Sequence, residues 1–356
     1  MLKQISEKTT PSQEYDPKAE PVVKIDMSEC KKEDQPRMIA LVNRLAKSPC
    51  GLETLQIAAE NGFKFSFFDK GVRCFGACDE AGHWVKLSPD ASDDKLVSTL
   101  CHESRHAGQF VRGAHEAFGV KDVRSELISF RAMEADAQTY AVTACMELAQ
   151  QGEKGPYETF KKFYPEIEKA FDKAYQAAGK QITHEVMTET FEGWYDQLKT
   201  KTVYEEGYQI EPMTKEIYNI KQGKEPTLFY DKEKVSGEDA IALAGWTKDG
   251  NYYTKDPKRL ESGKFLDVAE ATMKDMQDFF RLRKELTGME PDPSLASIPT
   301  RPDVLVRDRP KMGEKPMDGM YETKDRILAN KQQYAADRKA VKQAAVLKAA
   351  AMNKAR

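Results

Sequence analysis

The chain has 356 residues, enough for one large domain or two smaller ones. Hydrophobic residues make up 40% and charged residues 32%, a globular composition with excess charge, so part of the length is expected to be tail rather than core. The net charge of −3 argues against a nucleic-acid or membrane role for the whole chain, although residues 324–356 carry nine Lys and Arg against two Asp, +7, which leaves −10 on residues 1–323.

The N-terminal stretch MLKQISEKTTPSQEYDPKAEP lacks an apolar core of secretory-signal length. No run of about 18 apolar residues occurs, so no membrane span is expected. These features suit a cytoplasmic protein, or one exported without a conventional signal peptide. Six cysteines are scattered through such a chain, and reduced thiols are the expectation. Cys74 and Cys78 have the spacing of half a metal site, but no second pair follows them.

In chain order, residues 1–34 are polar and read as a flexible leader. An amphipathic helix begins at QPRMIALVNRLAKSP, with Met38, Leu41, Val42 and Leu45 on one face. GLETLQIAAENG reads as a second helix ending at Gly62. FKFSFFD and GVRCFGACDEAGHWVKLSP alternate like strands, with DEAGH as a turn. DASDDKLVSTL then starts a helix, with Ser92 or Asp93 as its cap and acids at the positive end of its dipole. SELISFRAMEADAQTYAVTACMELAQQG is a long helix closed by Gly152, and helices follow at about 156–178 and 184–199. From 203 to 288 the sequence is Tyr-rich and punctuated by Gly, with a hairpin expected at Asp249-Gly250 and a helix at about 266–286. Six prolines in 289–323 read as linker, and the Ala/Lys-rich end reads as a solvated helix. The expected organisation is therefore a leader at 1–34, a main folded domain at 35–200, an accessory α+β region at 201–288, and a linker and basic tail at 289–356.

The chemistry concentrates in LVSTLCHESRHAGQF, where His102, Glu103 and His106 form HExxH. Residues i and i+4 share a helical face, so both histidines can aim at one ion. A catalytic zinc site wants three protein ligands and an open position. Glu103 is placed to take a proton from the attacking water and pass it to a leaving amine. Leu96, Leu100, Ala107 and Phe110 supply an apolar stripe, so this helix is packed. The strand HWVKLSP just upstream is a candidate edge for an extended peptide.

The third ligand must come from elsewhere. Gln109 and Arg112 stand where an extended HExxHxxGxxH pattern needs Gly and His. On the next helix, Leu127, Phe130, Ala137, Ala141, Cys145 and Leu148 lie within about 60° of Glu134. A carboxylate inside an apolar stripe costs several kcal/mol without a partner, and zinc is one candidate partner. A salt bridge to Arg105 or Arg131 is another. Glu126, about 80° off that stripe, is the rival ligand and reads as a rim residue. Asp136, about 200° from Glu134, cannot share the ion and either anchors a neighbouring element or faces solvent. His115 and Tyr140 are candidate oxyanion donors.

With HESRHAGQ followed by MEADAQTYA, the chain resembles zincin-like metallopeptidases, and more narrowly a bacterial, sequence-defined metallopeptidase family carrying HE-x-x-HA-x-Q and then E-x-D-A. It is also similar to the regulatory proteases of the ImmA/IrrE group, whose third ligand is a glutamate on a later helix. The resemblance covers about 36–200. It implies an α+β zincin-like fold, with a small antiparallel or mixed sheet packed on the HExxH helix and a second ligand-bearing helix, and mainly helical C-terminal additions. It implies zinc ligands His102, His106 and Glu134, Glu103 as general base, and a protein or peptide substrate. Gln138 stands where such families place an acid four residues after the ligand glutamate, which leaves the partner of the histidines unassigned. An exported or phage-associated effector protease, or a non-catalytic metal-binding interaction protein, are the alternatives.

Overall fold

The structure is a computed structural model and describes residues 15–72, 74–114, 118–230, 234–305 and 312–314. Among them the chain forms eleven α-helices and three small sheets, an α+β architecture.

Helix α1 (Gln35–Leu45) buries Met38, Leu41, Val42 and Leu45, the face its spacing predicts. Helix α2 (Pro49–Glu60) starts where the Ser48 hydroxyl accepts the Gly51 N–H and Pro49 needs no donor. Strands β1 (Lys64–Phe67), β2 (Gly76–Asp79) and β3 (Trp84–Leu87) form a mixed sheet in the order β1-β3-β2. β1 runs parallel to β3, with Phe65 opposite Val85, and β2 antiparallel to it, with Cys78 opposite Val85. The HWVKLSP strand is thus the central strand, so the expected edge is not there. It is flanked because β1 and β2 both pair with it, and β2 is the outer strand that crosses the next helix.

That helix, α3 (Asp93–Val111), is capped by Ser92, whose hydroxyl accepts the Lys95 N–H, and carries Asp93 and Asp94 in its first turn. It packs against the sheet, α1, α2 and α4 (Val123–Gln150), which is why every residue from Lys95 to Phe110 is buried. Helix α4 starts at Asp122, whose carboxylate accepts the Ser125 N–H.

The helix expected over 156–178 is two: α5 (Gly155–Phe163) and α6 (Pro165–Ala177). Pro165 lacks the N–H a continuous helix needs and forces Tyr164 out of helical geometry. Helix α7 (His184–Trp194) is followed by α8 (Leu198–Glu205), a π turn at Glu206–Ile210, and α9 (Glu211–Lys221). A capping box at Ser236 and Asp239 starts α10 (Gly237–Ala244). The hairpin of β4 (Trp246–Thr247) and β5 (Gly250–Asn251) turns at Gly250, whose φ of 115° suits glycine. Strand β6 (Val268–Ala269) leads into α11 (Glu270–Thr287), closed by Gly288 in the left-handed region, and pairs in parallel with β7 (Thr300–Arg301).

One hydrophobic core runs across the expected divisions of the chain: Val23 and Ile25 join it from before α1, and Ile241, Tyr252 and Ile298 from beyond α9. Arg301, in the proline-rich stretch, is buried and donates to Glu205, Asp267 and Thr202. The basic Ala/Lys-rich segment lies outside the described residues. No helix among the described residues is long and apolar enough to cross a membrane.

Candidate metal centre

His102 and His106 sit one turn apart on α3, and α4 crosses it to bring Glu134 against both. The two Nε2 atoms are 3.0 Å apart, with the rings at 90°. Glu134 Oε2 lies 3.4 Å from His102 Nε2, and Oε1 lies 3.5 Å from His106 Nε2. One ligand atom from each of the three residues falls within 4.8 Å of the others, and all three side chains are buried.

The electrostatics suit a cation. Burial, with Lys95 nearby, pushes the His102 imidazole down to about 3, so it is neutral near pH 7 and offers a lone pair. Burial raises the Glu134 carboxyl, while His106 and the Tyr204 hydroxyl pull it back down. Glu134 Oε2 has no hydrogen-bond donor among the described residues. Two imidazole nitrogens and an unmet carboxylate oxygen meet in the interior, a donor set that could hold a metal ion. The arginines weighed as partners for Glu134 are engaged elsewhere. Arg105 pairs with Asp136 at 2.7 Å, and Arg131 with Glu205 at 2.6 Å.

Glu103 is buried beside the histidines, under β2: a Cβ built on Gly76 would stand 2.6 Å from Thr99 Cγ2 and 3.0 Å from Glu103 Cγ. The strand therefore crosses α3 at the turn that carries Glu103.

Glu126 is not a rim residue. It is buried, and it accepts the Gly119 N–H instead of joining the histidines. The helical wheel misplaced it because α4 touches α2, α3, α5, α7 and α10, so its off-stripe positions face protein and not water. The same holds for Asp136, which is fully buried and anchors its surroundings. It accepts from Arg105 Nε and Nη2 at 2.7 and 3.1 Å, from Gln109 at 2.6 Å and from the Tyr252 hydroxyl at 2.8 Å. Arg105 also donates to the carbonyls of Ala244 and Trp246, and its guanidinium stacks between the rings of Tyr140 and Trp246. The Tyr140 hydroxyl donates to the Trp246 carbonyl, which commits it to this cluster. His115 lies outside the described residues. Cys74 and Cys78 are not in the metal-capable group, and none of the six cysteines is in a disulfide.

Sequence reasoning missed two neighbours of the triad. The Tyr204 hydroxyl reaches Glu134 from α8, a contact across 70 positions that no local pattern signals. Gln109 Oε1 lies 2.8 Å from His106 Nδ1 and is the partner left open at Gln138. Its place on the histidine face, three residues after His106, was the available signal.

No curated protein and no solved structure matches the chain. A family model matches residues 10–215, more than half of the chain, which spans the sheet, α3, α4 and every residue of the triad. The chain belongs to the family described as Putative metallopeptidase family (DUF6782).

Proposed function

We propose that the protein is a zinc-dependent metallopeptidase with a zincin-like catalytic unit, similar in its ligand arrangement to the ImmA/IrrE group. The observation that carries this reading is the convergence of His102, His106 and Glu134, with Glu103 one residue after the first histidine. Two imidazole nitrogens and one carboxylate oxygen are a set that zinc accepts with a position to spare. Bound there, zinc would supply Lewis acidity toward water and the scissile carbonyl. Glu103 is assigned as general base: its carboxylate takes a proton from the attacking water and returns it to the departing amine. The buried setting excludes bulk water and strengthens each of these interactions. A peptide substrate would extend alongside β2, the outer strand that crosses α3 at Glu103.

Metal analysis beside a peptidase assay tests the assignment. Wild type should bind about one zinc, and Glu103→Ala should keep it while losing hydrolysis. Glu134→Gln should lower zinc affinity well beyond the roughly 10–100-fold typical of outer ligand-supporting residues. Zinc bound without hydrolysis of any peptide would favour the non-catalytic alternative. Hydrolysis that survives Glu103→Ala would remove Glu103 from its role.

A further inference from the structure

We propose that Gln109 and Asp136 are positioning residues that hold His106 with its proton on Nδ1 and the lone pair of Nε2 turned toward Glu134. The inference rests on the metal-centre reading above and explains two residues of the sequence pattern that the reaction itself leaves unused.

The Asp136 carboxylate accepts hydrogen bonds, and so does the Met133 carbonyl. Gln109 Nε2 lies 2.6 Å from Asp136 Oδ2 and 2.9 Å from the Met133 carbonyl oxygen, so both amide hydrogens are committed. The amide cannot be turned over, because its oxygen would then face two acceptors. Gln109 Oε1 is therefore the atom presented to His106 Nδ1, at 2.8 Å. An oxygen there requires a hydrogen on Nδ1. In its neutral form the imidazole carries one N–H, and with that hydrogen on Nδ1 the lone pair falls on Nε2, the nitrogen that faces His102 and Glu134.

Asp136 can impose this because it is itself immobile. It is fully buried, it pairs with Arg105, and the Tyr252 hydroxyl donates to it. Arg105 is held in turn by the Ala244 and Trp246 carbonyls. Ala244, Trp246 and Tyr252 lie beyond residues 10–215, so a later part of this chain sets the tautomer of a ligand on α3. Supporting residues of this kind change metal affinity by about 10–100-fold.

The test uses the full-length, metal-free protein labelled with nitrogen-15 at histidine. Long-range nitrogen–proton correlation spectra distinguish the two imidazole tautomers. Wild type should show His106 protonated at Nδ1. Gln109→Met keeps the volume and removes the acceptor, so His106 should lose its preference, and zinc affinity, measured by competition with a chelator, should fall about 10–100-fold. Gln109→Glu can share a proton with Asp136 and still face His106 with an oxygen, so it should retain the Nδ1–H tautomer and restore most of the affinity. A wild-type His106 protonated at Nε2 overturns the inference and needs no variant to fold. So does Gln109→Met binding zinc as wild type does with its tautomer unchanged. If wild type binds no zinc, the metallopeptidase reading fails, while the tautomer measured in metal-free protein still decides this inference.

Discussion

Replacing Glu126 by Gln should make the protein more stable at neutral pH. Glu126 is 4% exposed, its Oε1 accepts the Gly119 N–H, and Oε2 has no hydrogen-bond partner among the described residues. Burial pushes its carboxyl from 4.5 up to about 8, against the pull of the Gly119 and Val120 amides and Lys121, and with a further push from Asp292. The folded chain therefore keeps a proton that the unfolded chain releases. That difference favours folding fully below pH 4.5 and is lost as the pH rises through about 8. At roughly 1.4 kcal/mol per pH unit, the wild type gives up about 3 kcal/mol between pH 4.5 and 7 relative to an uncharged side chain of the same shape. Gln is that side chain, and its carbonyl oxygen can still accept from Gly119. Calorimetric melting across this window should show the two proteins converging near pH 4.5 and the variant melting several degrees higher at about pH 7.5. Zinc affinity should not change, since Glu126 stands apart from the triad. A gap in Tm that is constant with pH, or a variant that melts below wild type at neutral pH, would refute the reasoning.

Three further outcomes are expected. Asp136→Ala strips a buried guanidinium of its partner, so unfolding by denaturant should show a loss of about 3–5 kcal/mol; a loss below about 1 kcal/mol would mean Arg105 finds another acceptor. Gly76→Ala places a methyl against Thr99 and Glu103, so on the proposed mechanism turnover should drop about 10- to 100-fold while zinc content stays at the wild-type level. Unchanged turnover would show that Glu103 has room to move. Arg301→Ala removes donors from Glu205, Asp267 and Thr202, so stability should fall by about 3 kcal/mol and limited proteolysis should cut first near β7; an unchanged digestion pattern would show that β7 is held without Arg301.

Much of this protein was determined by the sequence alone, and for local reasons. Met38, Leu41, Val42 and Leu45 mark the buried face of α1, Ser92 caps α3, and Asp249-Gly250 turns a hairpin, because periodicity, capping and turn chemistry act over a few residues. The i,i+4 histidines and a carboxylate within an apolar stripe pointed to one site for the same reason. Tertiary structure decided what long-range burial controls. Glu126 and Asp136 are interior because α4 is surrounded by other helices, which a single helix's wheel cannot register. HWVKLSP is central rather than an edge because both β1 and β2 pair with it, and which strands pair is settled by the packing of the sheet rather than by the pattern within one strand. Tyr204 reaches Glu134, and the 244–252 segment holds Arg105 and Asp136, across separations that leave no periodic trace. The sequence carried the candidate ligands, whose spacing along one helix and stripe is local. The fold supplied the groups packed around them, such as Tyr204 and Tyr252, whose contacts exist only once distant segments share a core.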